Sequence, residues 1–138
     1  MKKSHQDLGI YHKRLNPDNC LVYQNKHLKI QNFKNALFFG KQAIKNVFPI
    51  GSKEAKALPN MKEGLNYMSP EFIEESIDTP AIDFWAFGCI IYFMLTGQDP
   101  FSAPTEQQVV IKIISRNINI KDLKDVSDDA KDLLNKLL

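Results

Sequence analysis

The chain has 138 residues, 43% hydrophobic and 25% charged, enough apolar material for one globular domain or part of a larger one. A formal net charge of +2 is too small to imply a nucleic-acid or membrane-surface partner. Two cysteines make no disulfide framework, three scattered histidines lack metal-ligand spacing, and the opening M-K-K-S-H-Q-D-L has no apolar stretch behind it to act as a secretion signal.

Residues 1–8 read as the last turns of a helix with Gly9 as its stop, too short to be stable alone, so the chain is expected to start inside an element. Residues 12–19, H-K-R-L-N-P-D-N, read as a loop, because Pro17 and its Asn and Asp neighbours favour turns. Residues 20–23 and 27–30 are short strands, and Gln24, Asn25 and Lys26 suit the turn of a hairpin. Residues 36–39 suggest a third strand. Residues 40–66 are polar and rich in lysine and read as a long solvated loop. Pro70 and Glu71 then open a short helix that runs through Glu75.

From Ala81 to Leu95 the chain is apolar on every face, with Asp83 as its only charge. A helix apolar all round is buried or spans a membrane. This run is shorter than the roughly 17–25 residues a bilayer needs and carries an acid near its start, so a buried central helix over about residues 80–96 is expected. Thr79 is placed to cap its free N–H groups, Pro80 to occupy its first position and Gly97 to close it. A buried carboxylate must be met by hydrogen bonds, so N–H groups are expected against Asp83. Thr105 and Gln108 suggest a capping box, followed by Val109, Val110, Ile113 and Ile114 on one helical face. Ser127 opens a last helix whose Ala130, Leu133, Leu134, Leu137 and Leu138 form a stripe that runs off the C-terminus. The fold class is mainly α with a small β-hairpin, and both ends look cut. Cys20 and Cys89, both in apolar runs, read as reduced structural thiols, and an intracellular, cytoplasmic chain with no membrane span is expected.

Four stretches occur in an order that resembles the protein kinase family, specifically its C-terminal lobe. Y-H-K-R-L-N-P-D-N at 11–19 is similar to the catalytic loop H-R-D-L-x-x-x-N, and I-Q-N-F-K at 30–34 stands where D-F-G would. Y-M-S-P-E at 67–71 resembles the A-P-E end of an activation segment, here about residues 32–71. D-F-W-A-F-G-C-I-I-Y at 83–92, followed by T-G-Q-D-P-F, resembles the family's central helix. N-P-D-N is closest to the serine/threonine type, and the wording around Ser69 and Trp85 to the phosphoinositide-dependent kinases. The resemblance spans residues 1–138 as a partial domain. It implies that Asp83 grips the backbone of residues 12–14, and that His12, Phe33, Glu71, Asp83, Trp85 and Gly88 form a structural frame. It also implies an arginine partner for Glu71 that this sequence does not contain.

The same resemblance implies ATP and magnesium, yet the reactive positions are altered. Arg14 stands where the catalytic aspartate would be, and a guanidinium has no acceptor with which to take a proton. Asn32 replaces the magnesium-binding aspartate and Asn16 the loop lysine, while Asn19, the second metal position, remains as one weak neutral ligand. Lys34 replaces the glycine of D-F-G, Gly64 falls where a threonine would help seat substrate, and Asn60 falls near the activating phosphorylation site. No catalytic set is intact, and no metal or cofactor is expected for this chain alone. A pseudokinase-like lobe follows, inactive alone, acting as a binding or scaffold module or as an incomplete kinase fragment. The competing reading is an ATP-dependent protein serine/threonine kinase with a non-standard site and an N-terminal lobe supplied elsewhere. Expected partners are a protein covering the exposed lobe surface and an anionic peptide or phosphate near Arg14, where Lys13, Arg14 and Lys34 would gather positive charge.

Overall fold

A computed structural model describes residues 9–38 and 64–138. The readings that fall on residues 1–8 and 39–63, Asn60 among them, lie outside the described residues.

The longest element is also the most apolar one. Helix α2 (Ala81–Thr96) ends at Gly97, whose φ of 71° lies in the left-handed region and lets its N–H reach the Phe93 carbonyl at 2.8 Å. Its start corrects the expected cap. Pro80 already has helical dihedrals (φ −57°, ψ −18°), and Thr79 contributes its carbonyl, to Ile82 N–H at 3.2 Å, rather than its hydroxyl. The all-round apolar pattern resolves into two faces. Ile82, Asp83, Trp85, Ala86, Gly88, Cys89 and Ile90 are buried, whereas Phe84, Phe87, Met94 and Leu95 are exposed. The expectation of a helix buried on every side is therefore corrected: burial covers one side only.

Helix α4 (Asp128–Leu137) packs on the buried face, and helix α1 (Pro70–Glu75) and helix α3 (Glu106–Ile114) pack on each other and join α2 through the shared core. The Thr105 hydroxyl accepts from Gln108 N–H and the Ser127 hydroxyl from Ala130 N–H, both at 3.3 Å, so each start has its side-chain cap. Ile113 and Leu134 are fully buried and Val109 nearly so; Ile114 and Leu133, expected on the same stripes, face outward. The core joins Leu65, Trp85, Cys89, Phe101, Val109, Ile113, Ile120, Leu134 and Leu138. Helices α2 and α4 meet at Gly88, where an added Cβ would stand 2.8 Å from Leu137 Cβ. No side chain larger than hydrogen fits that crossing.

The β structure is richer than a single hairpin. Strands β2 (Cys20–Val22) and β3 (Leu28–Ile30) pair antiparallel, with Val22 opposite Leu28. Tyr23 N–H bonds the His27 carbonyl, Lys26 N–H bonds the Tyr23 carbonyl, and Lys26 takes a φ of 60°, a three-residue loop with a left-handed last position. Strand β1 (Ile10–Tyr11) pairs with strand β4 (Leu37–Phe38), bringing together two segments that no local pattern links. Leu65 and Asn66, expected at the end of a solvated loop, form with Tyr67 a 3-10 turn (Leu65–Tyr67) whose Leu65 enters the core. None of the described helices is long and apolar enough to cross a membrane.

Candidate functional site

Residues 12–19 lie between the foot of α2 and the hairpin, and the contacts on their lower side are charged. Asp83 is 2% exposed; its Oδ2 accepts from His12 N–H at 2.7 Å and its Oδ1 from Lys13 N–H at 2.9 Å. These are the N–H groups a desolvated carboxylate requires. The His12 ring continues the connection. Its Nδ1 accepts from Arg14 N–H at 3.3 Å and its Nε2 lies 2.8 Å from the Gln31 carbonyl, which assigns the proton to Nε2. Phe33 meets the same ring edge-on at 4.9 Å between centroids while remaining half exposed.

On the upper side the bonds among Asn16, Asn19 and Asn32 are made by neutral amides. Asn16 Oδ1 accepts from Asn19 N–H at 3.0 Å and caps the 3-10 turn Pro17–Asn19. Asn19 Nδ2 donates to the Arg14 carbonyl at 2.8 Å, and Asn19 Oδ1 accepts from Asn32 Nδ2 at 3.2 Å. Asn32 has φ 66° and ψ 55°, a left-handed conformation that asparagine tolerates better than most residues. Four residues singled out in the sequence, Arg14, Asn16, Asn19 and Asn32, are thus joined in one hydrogen-bonded group. Gly64 closes against it with a φ of 81°, and a Cβ there would lie 3.1 Å from Asn16 Nδ2, so the backbone at this position suits glycine and would strain threonine. Arg14, Asn16, Gly64 and Ser69 help to wall a cavity of about 20 Å³, room for about one water.

Lys13, expected in a basic cluster with Arg14 and Lys34, lines the same cavity as Arg14 and has a carboxylate partner of its own. Its ammonium lies 2.5 Å from Asp78 Oδ2, with the two side chains 14% and 26% exposed. Asp78 carried no signal in the sequence beyond being an acid ahead of a helix. A second unexpected group joins Asp99 to the turn at residues 64–67: Asn66 Nδ2 donates to Asp99 Oδ2 at 2.8 Å and the Tyr67 hydroxyl to Asp99 Oδ1. Burial first, and then the Asp99 carboxylate, pushes the Tyr67 phenol well above its ordinary value. The larger cleft beside this staple, about 500 Å³, is lined by the acids Asp18, Asp99 and Glu106.

The remaining frame residues stand elsewhere. Trp85 stacks on Phe101 at 5.5 Å, with the Arg116 guanidinium 5.9 Å from the indole. Glu71 lies in the first turn of α1 and makes no ion pair among the described residues; its carbonyl accepts from Ile77 N–H at 3.2 Å. Lys34 is exposed within the 3-10 turn Phe33–Asn35.

A loop held from below by a buried aspartate, a hairpin beside it and a helical core behind it make up the C-terminal lobe of a kinase fold. The model of the protein kinase domain matches residues 1–138, and the chain belongs to the protein kinase family. Its curated relatives include 3-phosphoinositide-dependent protein kinase 1 of Homo sapiens, 33% identical over 133 residues, covering 94% of this chain and 21% of that protein. The protein of the same name from Arabidopsis thaliana is 31% identical over 131 residues, covering 95% of this chain and 26% of its own length. Serine/threonine-protein kinase PDK1 of Cryptococcus neoformans var. grubii is 29% identical over 130 residues, 94% of this chain and 10% of that protein. The chain thus spans about a tenth to a quarter of the length of these relatives.

Proposed function

We propose that the chain is a pseudokinase-like lobe that does not transfer phosphate by itself and serves as a binding or scaffold module. The hydrogen bond from Asn32 Nδ2 to Asn19 Oδ1 is the observation that carries this reading. These are the two positions at which the family resemblance implies magnesium ligands. Magnesium is held through carboxylates and phosphates, whereas here both side chains are neutral and the one retained ligand oxygen already accepts from an amide. The residues do not fit a magnesium–nucleotide pair. Arg14 supports the same reading, because it cannot accept the hydroxyl proton, a service worth roughly 10²–10⁴ in rate.

A scaffold needs a surface. Phe84, Phe87, Met94 and Leu95 on α2 form exposed apolar area on which a protein partner would sit. An anionic peptide or phosphate beside Arg14 would be met without Lys13, whose charge is engaged by Asp78. The test is transfer of labelled phosphate from ATP with magnesium to protein substrates, with the melting temperature followed in parallel as magnesium and nucleotide are added. No transfer and no shift are expected; turnover that disappears on Asn19→Ala would sink the proposal.

A further inference from the structure

We propose that Asp78 is a built-in counter-anion that latches Lys13, so that residues 12–14 hold their conformation through the chain's own carboxylate rather than through an added anion. Lys13 is a non-glycine residue at φ 69°, a left-handed backbone that persists only where its surroundings enforce it. Two carboxylates supply that enforcement. Asp83 Oδ1 takes the Lys13 backbone N–H at 2.9 Å, and Asp78 Oδ2 takes its ammonium at 2.5 Å. The contact is a sheltered one, with only 14% of the lysine side chain exposed. Asp78 is itself positioned from the other side, since the Tyr11 hydroxyl donates to its carbonyl at 3.4 Å. Its second carboxylate oxygen is buried without a hydrogen-bond partner among the described residues, and the Tyr11 phenol, whose ionisation this carboxylate helps to raise, lies beside it; among the described residues Lys13 is the cation set against this carboxylate.

An ammonium at this place with no internal partner would be a receptor for an outside anion, as a compact point charge. Asp78 fills that role from within, and it ties the loop to the segment between α1 and α2, while Asp83 ties it to the foot of α2. The latch is independent of whether the lobe transfers phosphate.

The full chain is the material for the test, read by its melting temperature in sodium phosphate against sodium chloride of equal ionic strength, and by hydrogen exchange at residues 12–14. The wild-type chain should show no phosphate-specific shift that depends on Lys13. Asp78→Asn should melt roughly 5–10 °C lower, exchange faster at residues 12–14, and regain part of the loss in phosphate. That recovery should vanish in Asp78→Asn/Lys13→Met. Should Asp78→Asn fail to fold, Lys13→Met/Asp78→Leu removes both charges together and should melt above the Lys13→Met single variant. A phosphate-specific stabilisation of the wild-type chain that is lost in Lys13→Met overturns the proposal. So does unchanged exchange in Asp78→Asn, or a double variant less stable than Lys13→Met.

Discussion

Beneath residues 12–19 lies a carboxylate, Asp83, at 2% exposure, while above them Arg14 and Asn32 stand where the family resemblance implies carboxylates. The lower charge is costly to bury, several kcal/mol if unmatched, but two backbone N–H groups at 2.7 and 2.9 Å answer it. In the upper group the amides of Asn16, Asn19 and Asn32 are joined by neutral bonds of about 0.5–1.5 kcal/mol each. Architecture and chemistry thus rest on different residues of one short loop. The loop's backbone is held from below, by the two bonds to Asp83.

The sharpest way to break this contrast is Asp83→Ala. It leaves the His12 and Lys13 N–H groups buried without acceptors and should lower stability by about 3–5 kcal/mol, measured by urea denaturation. For a domain whose total stability is on the order of 5–15 kcal/mol, much of the chain should then be unfolded in buffer. A loss under about 1 kcal/mol, the size of a single net hydrogen bond, would mean that the loop does not depend on the helix below it.

Gly88→Ala tests the next layer down. Its Cβ would stand 2.8 Å from Leu137 Cβ and 2.9 Å from Leu138 Cδ2, so α2 and α4 must separate. A cost of about 1–3 kcal/mol is expected, with loss of near-ultraviolet circular dichroism from the displaced Trp85. A neutral result would show that the crossing relaxes freely.

The smallest effect concerns pH. Burial, chiefly, raises the ionisation of Tyr11, Tyr67 and Cys89 above their ordinary values. Above about pH 8.5 for the thiol and about pH 10 for the phenols, the unfolded chain releases protons that the folded chain keeps. Stability from these groups is therefore fully present below that range and declines as pH rises through it. Tyr67→Phe removes one such group at a cost of about 1 kcal/mol near pH 7. Its deficit against the wild-type chain should narrow as pH passes about 10. A constant gap would indicate that the Tyr67 phenol titrates alike in the folded and unfolded chain.

Several features of the fold are legible in the amino-acid sequence alone. Gly97 ends α2 because a left-handed residue is needed there, and Thr105 and Ser127 cap their helices through their own hydroxyls. The hairpin, the short helix at Pro70 and the requirement that Asp83 find donors likewise follow from local spacing and from the cost of a buried charge. The sequence could not say that Phe84 and Met94 face outward, since an all-apolar helix carries no mark of which side is covered. Thr79 misled for a related reason: Pro80 had already entered the helical turn, so the carbonyl rather than the hydroxyl of Thr79 was used.

What the sequence by itself determined, then, is the four helices and the hairpin, because caps, periodicity and turn chemistry are properties of neighbours along the chain. Only the tertiary structure decided the partners. Asp78 reaches Lys13 across 65 positions, Asp99 meets Tyr67 across 32, β1 finds β4, and Asn32 closes on Asn19. Each pairing depends on where packing brings two distant segments, and there an acid or amide takes whichever donor the fold leaves beside it.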